Sequence, residues 1–153
     1  MRRPIAVLAA LALAVVALAG LTAIASSATS QPATVKTGTS ALGRIVVDGK
    51  SHTLYLFEKD KKGKSACSGA CAQSWPPLLT KGAPKAGAGA KAGLLGTTRR
   101  SDGTTQVTYN KHPLYTFVGD AGKRGATTGQ GLNAFGARWY VLAAKGTAKL
   151  GGY

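Results

Sequence analysis

Two nine-residue segments carry most of the side chains able to do chemistry. His52-Thr-Leu-Tyr-Leu-Phe-Glu-Lys-Asp60 and His112-Pro-Leu-Tyr-Thr-Phe-Val-Gly-Asp120 share His, Leu, Tyr, Phe and Asp at an offset of 60 residues. Between them lie Cys67 and Cys71, the only cysteines. Asp60 and Asp120, if brought together, would form a carboxylate pair able to share a proton as an acid/base dyad. His52 and His112 with Cys67 and Cys71 are ligand types for Cu²⁺ or Zn²⁺. Alternatively, cysteines four residues apart can close a disulfide across one helical turn or a tight loop at Gly69. Supply argues against the first two chemistries: the chain has five acids, two histidines and a single methionine, Met1. It offers no Cys-x-x-Cys-His run, which excludes covalent haem, and no Ser/His/Asp arrangement. The expectation is no catalytic residue and no cofactor, with a copper or zinc set on Cys67, Cys71, His52 and His112 as the alternative.

Compartment decides the state of the cysteines. Arg2 and Arg3 precede an apolar stretch over residues 4–25, broken only by Gly20 and Thr22, and Ser26-Ser27-Ala28 follows. This is the layout of a secretion signal, expected over residues 1–28; about 20 apolar residues kept in place would instead anchor the chain in a bilayer. Leu21 stands where a lipoprotein signal would need cysteine, so no lipid anchor is expected there. Export into an oxidising compartment makes a Cys67–Cys71 disulfide the default, with a loop-entropy gain of about 2 kcal/mol.

The elements that must position these groups read as mainly β. Residues 29–40 are rich in Ser, Thr, Gln and Pro without an apolar period and suggest a solvated linker. A Gly/Ala/Lys stretch at 81–93 and a tail at 145–153 suggest loops. That leaves two blocks, 41–80 and 94–144, each too small to bury a core alone, hence one β domain over 41–144. Each motif follows a β-prone run and a turn, Arg44-Ile-Val-Val47 before Asp48-Gly49 and Gln106-Val-Thr-Tyr109 before Asn110-Lys111. Another hairpin is expected from 94–100 to 104–109 around Ser101-Asp102-Gly103, and a strand at Arg138-Trp-Tyr-Val-Leu142. A tryptophan, Trp75 or Trp139, closes each block. The fold expected is a small antiparallel domain of two pseudo-symmetric repeats with long Gly-rich loops, preceded by a helical signal segment.

Tyr55-Leu-Phe-Glu-Lys-Asp60 and Tyr115-Thr-Phe-Val-Gly-Asp120 resemble the bacterial secreted-repeat family of predicted lipoproteins, whose tandem units carry a Tyr-x4-Asp signature. Residues 65–78, Asn110-Lys-His-Pro-Leu-Tyr-Thr-Phe117 and Gly129-Gln-Gly-Leu-Asn-Ala-Phe-Gly136 before Trp139 are similar to the same family. The resemblance covers about 41–144 and implies a domain type without an established activity.

On a strand, Tyr55 and Phe57 share one face and Leu54 and Leu56 the other, so the first motif is expected to be covered on both sides. Tyr115 and Phe117 repeat the pattern opposite Leu114 and Thr116, a partly open face. Asp60 and Asp120 would end each strand by accepting backbone N–H groups two residues on, or meet the tyrosines in a shared ligand site. The chain carries 20 basic residues against five acids, +15, and removal of the signal with its two arginines leaves +13. Such a surface attracts polyanions. In an exported chain without base-stacking motifs, anionic envelope polymers or lipid headgroups are expected as partners rather than specific nucleic acid. The functional expectation is a non-enzymatic exported module, with a redox or copper protein using Cys67 and Cys71 as the alternative.

Overall fold

The computed structural model describes residues 31–151. The expected signal at 1–28, the first two residues of the expected linker and the last two of the tail lie outside the described residues. The described chain is mainly β, with three small sheets and short helical turns.

The first sheet pairs β1 (Thr34–Ser40) with β2 (Gly43–Asp48), antiparallel from Val35↔Asp48 to Ser40↔Gly43, and adds β4 (Lys85–Ala86) parallel to β1. The second orders β3 (Tyr55–Phe57), β9 (Ala137–Val141) and β8 (Asn133–Ala134). The third is the meander β5 (Leu95–Arg99), β6 (Thr105–Tyr109) and β7 (His112–Pro113). The Asn110-Lys111 turn joins β6 to β7 with Tyr109 opposite His112, and both turn residues have positive φ, 49° and 65°. That is the backbone a two-residue hairpin needs to match strand twist. The 94–100 to 104–109 hairpin also forms as expected, from Leu95↔Tyr109 to Arg99↔Thr105.

β3 separates two hydrophobic clusters. Tyr55 and Phe57 enter one with Ile45, Val47, Trp75, Tyr115, Trp139 and the disulfide. Leu54 and Leu56 enter the other with Val35, Val107, Tyr109, Leu114 and Leu142. All four motif residues are at most 4% exposed, so both faces of the strand are covered, as their apolar character requires.

Three segments expected to be loops are built into this framework. Residues 34–40 of the expected linker form β1. Val35 alone supplies its buried large side chain, and the polar residues around it lie half-exposed on an outer hairpin, so no apolar period marks the strand. At Gly38, a Cβ would stand 3.2 Å from both methyls of Val47. Within the expected 81–93 loop, β4 and the backbone bond from Thr37 N–H to Ala88 C=O extend the same sheet, giving one parallel pair in an otherwise antiparallel set. The expected tail folds back on β9, with Lys149 N–H donating to Val141 C=O. Backbone pairing decides all three, and small or polar side chains conceal it.

Candidate functional site

The two motifs meet backbone to backbone. Tyr55 N–H donates to Tyr115 C=O at 2.8 Å, and Tyr115 N–H donates back to Tyr55 C=O at 3.0 Å. Their side chains then exchange partners. The Tyr55 hydroxyl donates to Asp120 Oδ2 at 2.7 Å, and the Tyr115 hydroxyl donates to Asp60 Oδ2 at 2.8 Å. Each phenol is therefore bonded by the carboxylate of the other motif.

Each aspartate also closes its own loop. Asp60 Oδ1 accepts from Ala66 N–H at 2.7 Å, and Asp120 Oδ1 accepts from Thr128 N–H at 3.0 Å and the Thr128 hydroxyl at 2.6 Å. The bonds reach six and eight residues on, not the two of a simple aspartate turn. The exchange satisfies both carboxylates with phenols, so neither shares a proton with the other as a dyad. Burial, with the Asp120 hydrogen bond and charge, pushes the Tyr55 phenol far above its ordinary range. Burial and the Asp60 charge do the same to Tyr115. Burial also lifts Asp60 to about 6, opposed by bonds from Ala66 and Tyr115 and by the charges of Arg100 and Lys61.

Beside these pairs runs a column of stacked rings. Phe57 stacks on Trp139 at 4.0 Å and 7°, Trp139 on Trp75 at 4.0 Å and 4°, and Trp75 on Phe117 at 4.1 Å and 23°. Tyr115 meets Trp139 edge-on at 5.1 Å, and Tyr55 meets Trp75 edge-on at 5.3 Å, the alternative favoured aromatic geometry. Trp75 is carried by the turn after α1 (Ala70–Ser74), its N–H bonded to Cys71 C=O at 2.8 Å. Gly129 sits against this column. A Cβ there would come within 2.7 Å of Trp75 and 3.0 Å of Tyr55.

Cys67 and Cys71 form a disulfide, with Cα atoms 5.3 Å apart. Neither offers a thiolate ligand in this state. His52 and His112 line different clefts. His52 Nδ1 bonds Asp48 Oδ2 at 3.0 Å, and its ring borders a cavity of about 190 Å³ with Phe117 and Asp120. His112, its basicity lowered by burial, lines an open cleft of about 630 Å³ with Phe57, Glu58, Asp60 and Lys61. Each histidine thus faces the strand end of the opposite motif. Among the described residues no group of three or more His, Cys, Asp or Glu is placed to hold a metal.

The sequence reading missed the polar extension of the Asp60 end. The Tyr115 hydroxyl also bonds Ser65 Oγ at 2.8 Å, and Arg100 reaches Ser65 Oγ at 2.8 Å, Gln106 Oε1 at 2.8 Å and Cys67 C=O at 2.7 Å. Gln106 Nε2 then donates to Leu114 C=O at 2.8 Å. Arg100 and Gln106 are 7% and 0% exposed. The available signal was strand alternation: along β5 and the residue after it, Thr98 and Arg100 are buried while Arg99 is exposed.

A family model described as a secreted repeat of unknown function matches the chain twice, over residues 36–79 and 96–143. No curated protein and no solved structure matches. Among the described residues no helix is long and apolar enough to cross a membrane.

Proposed function

The chain belongs to a family of secreted repeats of unknown function, and on that premise we propose an exported, non-enzymatic module whose basic surface binds anionic polymers or lipid headgroups of the cell envelope. The observation that carries this reading is how the five acids are used. Asp48 bonds two backbone N–H groups and His52, Asp102 bonds Thr104, and Asp60 and Asp120 bond tyrosines and loop backbone. Only Glu58 is left without such a bond among the described residues, and no lysine there forms an ion pair. Among the described residues' 18 basic side chains, all but Lys36, Arg100 and Lys149 are exposed. The acids hold the fold, and the cations are left to solvent and to whatever polyanion is near.

In this reading residues 1–28 are an export signal, and the two matched repeats are equivalent halves of one domain. The reciprocal Tyr–Asp bonds support that equivalence. The copper or zinc alternative loses its thiolates to the disulfide. The test is binding of the domain to polyphosphate and to phosphatidylglycerol vesicles over a salt series. Binding should fall steeply from low to moderate salt as the Debye length shortens below about 10 Å. Affinity unchanged by salt overturns the electrostatic reading.

A further inference from the structure

The only methionine is Met1, and no described cysteine is free. The tyrosines and tryptophans are therefore the side chains of the described residues that give up one electron most readily. Both tryptophans and two of the five tyrosines are in mutual contact: Tyr55, Trp75, Trp139 and Tyr115, at centroid distances of 5.3, 4.0 and 5.1 Å. The two indoles lie face to face within 4° of parallel, which overlaps their π systems. Each end of the series is a phenol whose proton already points at a carboxylate oxygen.

We propose that Tyr55, Trp75, Trp139 and Tyr115 form a one-electron relay, which carries an oxidising equivalent from a free radical or high-valent metal–oxo oxidant at the surface to a tyrosine. Trp75 lies beneath half-buried Phe117, a single ring from solvent. Phenylalanine is harder to oxidise than tryptophan, so the equivalent passes it and rests on the indoles. The oxidant gains one electron from Trp75, leaving an indole cation radical shared with Trp139. Tyr55 or Tyr115 refills the indole with one electron and passes its hydroxyl proton to Asp120 or Asp60. The products are a reduced oxidant, a neutral tyrosyl radical and a neutral carboxylic acid.

Charge favours that endpoint in a dry interior. The phenol–carboxylate pair begins with one negative charge and ends with none, so no unpaired cation is left buried. An oxidised phenol without an acceptor in hydrogen-bonding reach would have to keep its proton and its charge. The raised affinity of both phenols for their protons keeps them un-ionised until the electron leaves.

The two ends differ in access. Asp120 is 5% exposed, which shields a radical on Tyr55. Asp60 is half-buried and opens to the 630 Å³ cleft beside Lys61 and His112. A small phenolic or thiol reductant in that cleft restores Tyr115 by giving one electron while Asp60 returns the proton to the phenol; the reductant releases its own hydroxyl or thiol proton to solvent and leaves as a neutral radical.

The experiment oxidises the intact protein with a photogenerated ruthenium(III) polypyridyl complex and reads the radical by transient absorption and freeze-quenched electron paramagnetic resonance. A persistent tyrosyl signal is expected, lost in the Tyr55→Phe/Tyr115→Phe double variant, where an indolyl signal replaces it. The single variants Tyr55→Phe and Tyr115→Phe each remove one component, which covers failure of the double variant to fold. Tyr109→Phe and Tyr140→Phe leave the signal intact. A tyrosyl signal undiminished in the single and double variants, or removed by Tyr109→Phe or Tyr140→Phe, overturns the relay. These readouts are independent of anion binding, so either proposal can fail alone.

Discussion

Asp60 and Asp120 hold equivalent motif positions, Asp120 buried and Asp60 half-buried beside an open cleft. Burial holds Asp60 at about 6 against 3.8 for a free aspartate. Between those values the folded chain keeps a proton that the unfolded chain has released. This stabilising contribution is complete below pH 3.8 and is lost as pH rises through about 6, on the order of 1–2 kcal/mol. Urea denaturation across this window should show that loss in the wild type and a shallower slope in Asp60→Asn; equal slopes would contradict the assignment. Arg100 is the second decisive side chain. Its planar fork serves Ser65, Gln106 and Cys67 C=O together, which a single ammonium cannot reproduce. Arg100→Lys should cost about 2–3 kcal/mol in the same assay, because buried acceptors lose their donors. Neither effect was legible as such. Composition separates acids from bases, but it does not reveal that an arginine next to exposed Arg99 turns inward.

At the scale of elements, the loop carrying Gly129 is held against the aromatic column by a contact that admits no side chain. Trp75 and Tyr55 are rigid, buried rings, so Gly129→Ala must shift the column or the loop. The expected penalty is about 1–3 kcal/mol, read as a lower melting temperature together with a changed near-ultraviolet circular dichroism of the stacked indoles. A lower melting temperature with unaltered indole signals would place the strain elsewhere. The elements legible in the sequence were those announced by large side chains or turn chemistry. These were β3 with its two apolar faces, the Asn110-Lys111 hairpin, the β5–β6 hairpin and the strand containing Trp139. β1 was invisible because a strand of Thr, Lys, Gly and Ser around a single valine looks like a linker until its partner is known. The same limit hid the parallel β4, whose two residues are both exposed.

Across the whole molecule, the site is not located in either matched repeat. One supplies Tyr55, Asp60 and Trp75, the other Tyr115, Asp120 and Trp139; both Tyr–Asp bonds and the indole stack cross between them, while the edge-on contacts Tyr55–Trp75 and Tyr115–Trp139 stay within a repeat. All six residues were legible in the sequence, the tyrosines and aspartates because they recur at an offset of 60 and the tryptophans because one follows each motif. The exchange was not legible, since identical motifs are equally consistent with each tyrosine bonding its own aspartate. Cooperative unfolding follows. Both repeats should be lost in one transition, seen as coincident melting of indole fluorescence and far-ultraviolet circular dichroism. Two separated transitions would mean that the repeats hold themselves together independently.

The exchange of partners also bears on how such a chain can be divided. A half expressed alone keeps a phenol without its acid and an acid without its phenol, so its interior advertises the vacancy its complement fills. Opened within residues 81–93 and mixed, the two fragments are expected to find each other as a lock finds a key cut from the same blank. A single fragment at high concentration would then have an obvious substitute for its missing half: another copy of itself.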